Sequence, residues 1–192
     1  MKVIFLGTNG WYDTETGNTI CTLIRAGDRD IILDAGSGFH KIDRHVPAGD
    51  EKPATLLLSH FHLDHIYGLH VLVRMRFPQG LTLCGPAGTR RVIDTVVNSP
   101  FTVSLDRLPF TTRVYELPEE SGRLPFPVAV MPLLHSDLTL GFRMEIDGRV
   151  VAYCPDTGYC ANAVKLARSA DLLITECAYK SGEALESWPQ LN

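Results

Sequence analysis

Four side chains able to bind a metal crowd into six residues, His60-Phe61-His62-Leu63-Asp64-His65, directly after the apolar run Ala54-Thr55-Leu56-Leu57-Leu58. The apolar run reads as a buried strand, and the motif follows where its C-terminal end would open onto a cleft. In an extended stretch residues two apart share a face, so His60, His62 and Asp64 can converge while Phe61 and Leu63 point elsewhere. His65 then points differently from Asp64, which suits two adjacent ions better than one. A chance match to these fixed residue types anywhere in the chain is on the order of one in a few thousand.

Around this motif the chain alternates strand and helix signals. Strands are expected over Lys2–Leu6, Thr19–Arg25, Ile31–Leu33 and Leu81–Cys84, and helices over Phe39–Val46, His65–Phe77 and Ala87–Val97. Residues Ser99 to Gly122 carry no clean period and are broken by three prolines, which predicts a loop with one short strand. Pro127–Leu134, Thr139–Ile146 and Val150–Tyr153 read as three antiparallel strands, with Asp147-Gly148 a strong hairpin signal. A helix over Ala161–Ala170 and a buried strand over Leu172–Thr175 follow.

At 192 residues the chain can bury one core but not two full-sized ones, and no linker divides it. A net charge of -4 argues against broad, sequence-independent binding of nucleic acid. No apolar stretch reaches membrane-spanning length, so no membrane partner is expected. Five cysteines without a CxxC pair suit reduced thiols in a cytoplasmic protein.

The HxHxDH pattern of His60, His62, Asp64 and His65 resembles the signature of the metallo-β-lactamase superfamily. The resemblance implies an α/β fold of the αββα type, two mixed sheets flanked by helices. It covers residues 1–192 as a single pseudo-duplicated domain with a two-metal cleft at one edge. It also implies the remaining ligands. Taken alone, His135 at the end of a strand serves structure more often than metal, but the family expects a third histidine there. His60, His62 and His135 would then hold one ion with a position left for water, as catalytic zinc prefers. Asp156, in Cys154-Pro155-Asp156-Thr157-Gly158, would read alone as a turn residue. By resemblance it is the carboxylate that bridges two metals, leaving Asp64, His65 and Asp156 around the second. Asp64 and Asp156 are thus the candidate catalytic carboxylates.

Members specialised for β-lactams in the best-known subgroup carry cysteine where Asp156 stands, and the di-iron redox branch carries glutamate where His62 stands. Both departures point to hydrolysis of another substrate. Two divalent ions are implied, Zn²⁺ first, with Mn²⁺ or Fe²⁺ fitting the same nitrogen and oxygen donors. The implied reaction is attack of metal-activated water on phosphorus or an acyl carbon. Asp34 resembles a family aspartate that lies below the first site and supports a ligand histidine. Glu176 resembles the glutamate of the HEAT motif in ribonuclease Z-like relatives, with Thr175 and Cys177 replacing the first and third residues. One further histidine ligand is expected fifteen to twenty residues beyond Ile174-Thr175-Glu176-Cys177, where the chain ends at Asn192. The expectation is therefore a chain truncated at its C-terminus, with an incomplete second site.

Among the family's branches, ribonuclease Z and phosphodiesterases match best. Bacterial ribonuclease Z inserts a long arm between its matching histidine and aspartate, whereas only a hairpin fits between His135 and Asp156. A small phosphodiester is the leading substrate, followed by RNA and by thioesters or lactones. A metal-stabilised binding module without catalysis is the remaining alternative. The resemblance also admits a dimer.

Overall fold

The computed structural model describes residues 1–47, 49–50 and 52–178. They form two compact units, Met1–Glu116 and Leu117–Asn192. Each is built on a mixed sheet flanked by helices.

The first unit carries a six-stranded sheet in sequential order: β1 (Lys2–Gly7), β2 (Cys21–Arg25), β3 (Asp30–Leu33), β4 (Ala54–Leu57), β5 (Leu81–Pro86) and β6 (Thr112–Leu117). β1 to β3 pair antiparallel, while β3, β4 and β5 run parallel. β2, β3 and β4 are largely apolar and buried on both faces, as strands in the interior of a covered sheet should be. Leu23, Ile32, Leu56 and Leu58 pack with Phe39, Ile42, Leu69, Leu72 and Ile93 in one cluster. Each such fully buried Leu or Ile contributes roughly 1.5–3 kcal/mol, so these three strands anchor the unit. The stretch without a clean period does contain one strand, β6, at the sheet edge.

Two helical expectations change form. Residues Ser37–Arg44 make a 3-10 helix. In place of one helix over 65–77, the chain makes a four-residue α-helix, α1 (Leu63–Ile66), and then a 3-10 helix, Tyr67–Arg74. The cause is a competition for backbone groups. Continuing α1 would need the His65 carbonyl and the Gly68 N–H for bonds four residues apart. Instead the Ala35 N–H donates to the His65 carbonyl at 2.8 Å, and the Gly68 N–H donates to the Ala35 carbonyl at 2.7 Å. The spacing of the apolar residues is helical; the hydrogen bonds are spent on the loop after β3. A second α-helix, α2 (Thr89–Val96), packs on β5.

The second unit carries a four-stranded sheet in the order β10-β9-β8-β7. β7 (Val128–Pro132), β8 (Leu140–Ile146) and β9 (Arg149–Cys154) are antiparallel, and β10 (Leu172–Thr175) lies parallel to β9. Asp147 and Gly148 both have positive φ, 51° and 70°, as a two-residue hairpin turn requires. Helix α3 (Ala161–Ala167) packs on β7, β8 and β9, with Leu166 fully buried. Phe142 and Tyr153, neighbours across β8 and β9, stack with ring centroids 6.5 Å apart. Among the described residues no helix is long and apolar enough to cross a membrane.

The close approach of the 3-10 helix Tyr67–Arg74 to the loop after β3 depends on glycine. A Cβ on Gly68 would lie 2.3 Å from the Gly36 carbonyl oxygen and 2.8 Å from that of Ala35, both rigid backbone. Gly68→Ala should therefore lower stability by about 2–3 kcal/mol, read as a lower urea midpoint. Gly122→Ala, where a Cβ meets nothing within 4 Å, should stay within about 0.5 kcal/mol of the parent.

Candidate metal centre

In the first unit the site grows from the parallel register of β3 and β4. Leu33 pairs with Leu57, and the Asp34 N–H donates to the Leu57 carbonyl at 3.0 Å. The two strand ends therefore emerge side by side, Asp34 from one and Ser59-His60 from the other. Asp34 is wholly buried and sits in the left-handed region, φ 55°. Its Oδ1 accepts the Ser59 N–H at 2.7 Å; its Oδ2 accepts the Ser59 hydroxyl at 2.8 Å and lies 2.9 Å from His65 Nδ1. Burial would raise this carboxyl's pKa. The His65 side chain beside it outweighs burial, with His60 and the Ser59 N–H, and holds the group below the ordinary carboxylate range.

An ionised Asp34 dictates the histidine tautomers. His65 must present Nδ1–H to it, and Ser59, having given its proton to Asp34, accepts Nδ1–H from His60 at 3.0 Å. Both rings are left with Nε2 as the lone-pair nitrogen, the state in which imidazole binds a metal. The His60 ring centroid lies 4.5 Å from that of His62 and 4.0 Å from that of His65.

Alternation along an extended chain accounts for His60 and His62 but not for Asp64. His62 is the last extended residue, φ -60° and ψ 146°, and α1 begins at Leu63. Asp64 and His65 are helical, and their sides are set by that helix. Asp64 Oδ2 lies 3.8 Å from His65 Nε2 and accepts the Trp11 N–H at 2.7 Å. The support from Asp34 is also redistributed: it holds His65 directly, and reaches His60 only through Ser59.

In the second unit β7 stops at Pro132, short of Leu134, where sequence alone ends the strand. Leu134 instead makes an isolated bridge with Gly158, whose N–H donates to the Leu134 carbonyl at 2.7 Å. The Leu134 N–H donates to Thr157 Oγ1 at 3.2 Å. His135 and Asp156, each one residue outside that bridge region, are thereby held together, Nε2 to Oδ2 at 3.9 Å. Glu176 follows β10, whose Thr175 is paired with Cys154, and its Oε1 accepts the Thr157 N–H at 2.7 Å. Cys154 is buried; burial, and then Cys160, push its thiol up to about 11, so it stays protonated beneath the loop.

His60 and His62 in the first unit, and His135 and Asp156 in the second, are of the donor types that hold a metal ion. Imidazole nitrogens and a carboxylate oxygen suit a divalent ion of zinc type in hardness. Ser59, Thr157 and Trp11 were not marked as site residues from sequence. Ser59 stands beside the motif and Thr157 beside Asp156, yet only the strand pairings reveal their bonds. The expected further histidine, and the chain end where it would fall, lie outside the described residues.

The model of the beta-lactamase superfamily domain matches residues 29–189. A ribonuclease Z of Macrococcus caseolyticus is 25% identical over 242 positions, covering 95% of this chain and 78% of that protein. The probable metallo-hydrolase YhfI of Bacillus subtilis is 25% identical over 184 positions, covering 93% of this chain and 73% of YhfI. The YhfI crystal structure superposes with a TM-score of 0.77 at 22% identity, covering 99% of this chain and 76% of that one. Human tRNase Z, short form, gives a TM-score of 0.70 at 24% identity, covering 90% and 76%. These superpositions share the two-sheet fold described above.

Asp34→Asn keeps the shape of the side chain but removes its charge, and with it the grip on His65 Nδ1–H. Metal affinity should fall about 10- to 100-fold, measured by competition with a chromogenic chelator. Unchanged affinity would show that Asp34 serves the fold alone.

Proposed function

Because this chain belongs to the beta-lactamase superfamily of metal-dependent hydrolases, we propose that it is a phosphodiesterase acting on a small phosphodiester. The observation that carries this reading is the compactness of the stretch between His135 and Asp156. The β8–β9 hairpin, closed by the two-residue turn Asp147-Gly148, fills it almost entirely. The alignment to the Macrococcus caseolyticus ribonuclease Z runs to 242 positions, more than the 192 residues of this chain, so that relative carries inserted segments, whereas a ribonuclease Z of Mycolicibacterium gilvum aligns over 193. YhfI aligns over 184 positions, without room for long insertions. Relatives named as ribonucleases support phosphorus, rather than carbon, as the centre attacked.

In this reading His60, His62 and His135 hold one divalent ion, and Asp64, His65 and Asp156 a second, with Zn²⁺ first and Mn²⁺ or Fe²⁺ as substitutes. When bound, such ions supply Lewis acidity toward a phosphoryl oxygen and lower the pKa of a water. The chain's own contribution is to fix donors before substrate arrives. Asp34 sets the tautomer of His65 and, through Ser59, that of His60. Glu176 pins the Thr157 backbone, and so fixes where the neighbouring Asp156 leaves the chain. The Trp11 N–H holds one oxygen of Asp64. Fixed donors need no reorganisation during the displacement, which is where catalytic electrostatics has its advantage. Five cysteines without a CxxC pair suit a reducing cytoplasm.

The metal-loaded protein should hydrolyse bis(4-nitrophenyl) phosphate and lose that activity to a chelator. His62→Ala should lower metal content and turnover together. The drop in turnover should exceed the ~10- to 100-fold typical of losing a residue that only supports a ligand. The relatives favour RNA as the second reading, and cleavage of precursor tRNA alone would establish it at the expense of the first. Cleavage of thioesters alone would overturn both.

A further inference from the structure

Two large aromatics stand exposed at the tip of the loop between β1 and β2: Trp11 at 70% and Tyr12 at 71%. The loop beneath them is tightly built. The N–H groups of Thr8 and Asn9 both donate to the Asn18 carbonyl at 3.0 Å, and Asn9 bridges Thr19. Thr14 Oγ1 accepts from the Asn9 side chain and from the Gly17 N–H, each at 3.1 Å. The Asp13 carboxylate accepts from the Asn18 side chain at 3.1 Å, from the Thr19 N–H at 2.9 Å, and from the Ser37 hydroxyl. So much polar anchoring serves no apolar core, since the residues it presents stay in water.

The backbone of Trp11 is itself unusual. Its φ of 65° places a bulky residue in the left-handed region, a costly conformation that persists only where surroundings enforce it. Here the enforcing contact is the bond from the Trp11 N–H to Asp64 Oδ2, 2.7 Å long. One strained residue thus joins a pre-organised loop to a candidate metal ligand and carries the largest of all side chains beside it. Rigid, exposed aromatics next to a centre that handles phosphate esters offer a π-face to a planar group one ester linkage from the phosphorus.

We propose that Trp11, assisted by Tyr12, is a stacking platform for the planar ring of the substrate, so that the small phosphodiester is a nucleotide. This rests on the phosphodiesterase reading above and narrows it. Because the bond to Asp64 comes from the backbone, replacing the indole leaves that bond in place. Its effect on binding can therefore be separated from any effect on the metal ligand.

The test uses the metal-loaded chain and two probes that differ only by a base, AMP and ribose 5-phosphate. Calorimetry should show AMP binding roughly 5- to 150-fold more tightly, the range that stacking of one base provides. Trp11→Ala should erase most of that difference and Trp11→Phe should keep most of it. With the chain's other tryptophan removed by Trp188→Phe, AMP should still quench indole fluorescence while ribose 5-phosphate should not. Equal affinity for the two probes, or an AMP affinity indifferent to Trp11→Ala, overturns the platform. An oligoadenylate binding more than roughly tenfold tighter than AMP overturns the commitment to a small nucleotide. The two readings fail separately. AMP binding through Trp11 without turnover of any phosphodiester sinks the phosphodiesterase reading and leaves the platform. Turnover of bis(4-nitrophenyl) phosphate without preference for AMP does the reverse.

Discussion

A single buried carboxylate organises the motif-bearing half of this protein. Asp34 accepts two hydrogen bonds from Ser59 and one from His65, inside a region with no solvent to replace them. Burying a charge there is costly unless every lone pair is used, and here the partners are also the neighbours of the metal-competent residues. The consequence runs both ways. The histidines keep the carboxylate ionised, and the ionised carboxylate keeps their Nδ1 atoms protonated and their Nε2 atoms basic. The loop after β3 is tied to α1 by the same neighbourhood, through the bonds from Ala35 to His65 and from Gly68 to Ala35.

Most of the strand pattern was readable because burial leaves a strong periodic or continuous apolar signature. β2, β3 and β4 are near-continuous apolar runs, and Asp147-Gly148 marks its hairpin by the left-handed backbone both residues adopt. The helices were less readable. Apolar spacing over 65–77 reports which side faces the core, and an α-helix and a 3-10 helix bury nearly the same side. What separates them is the destination of two backbone groups, the His65 carbonyl and the Gly68 N–H, and both go to a loop thirty residues upstream. No local pattern encodes that. β6 was blurred for a related reason: its residues are mostly half-buried, so it has no contrast to read.

The motif's residue types were legible, but its geometry was only partly so. Alternation in an extended chain explains His60 and His62, whereas Asp64 and His65 owe their placement to α1 starting at Leu63. His135 and Asp156 were identified through family resemblance, since a strand-end histidine and a turn aspartate are unremarkable alone. The bridge between Leu134 and Gly158 supplies the physical reason they meet. Ser59 and Thr157 escaped notice because serine and threonine beside a loop are common, and their value lies in partners far away in sequence.

The same device serves both units. Each sheet contains a parallel pair of strands in which the carboxylate that follows one strand reaches the loop that follows its neighbour. Asp34 follows β3 and accepts the N–H of Ser59, the residue before His60; Glu176 follows β10 and accepts the N–H of Thr157, the residue after Asp156. Parallel pairing is what makes this possible, because it brings the carboxyl ends of both strands to the same edge. The clamp acts on backbone adjacent to the donor and leaves the donor's own side chain uncommitted. A donor fixed in this way keeps its lone pair for a ligand while its position is set by groups that never touch that ligand. An antiparallel pair would put the carboxylate at the opposite edge, which makes the parallel register, more than any single side chain, the structural condition for this arrangement.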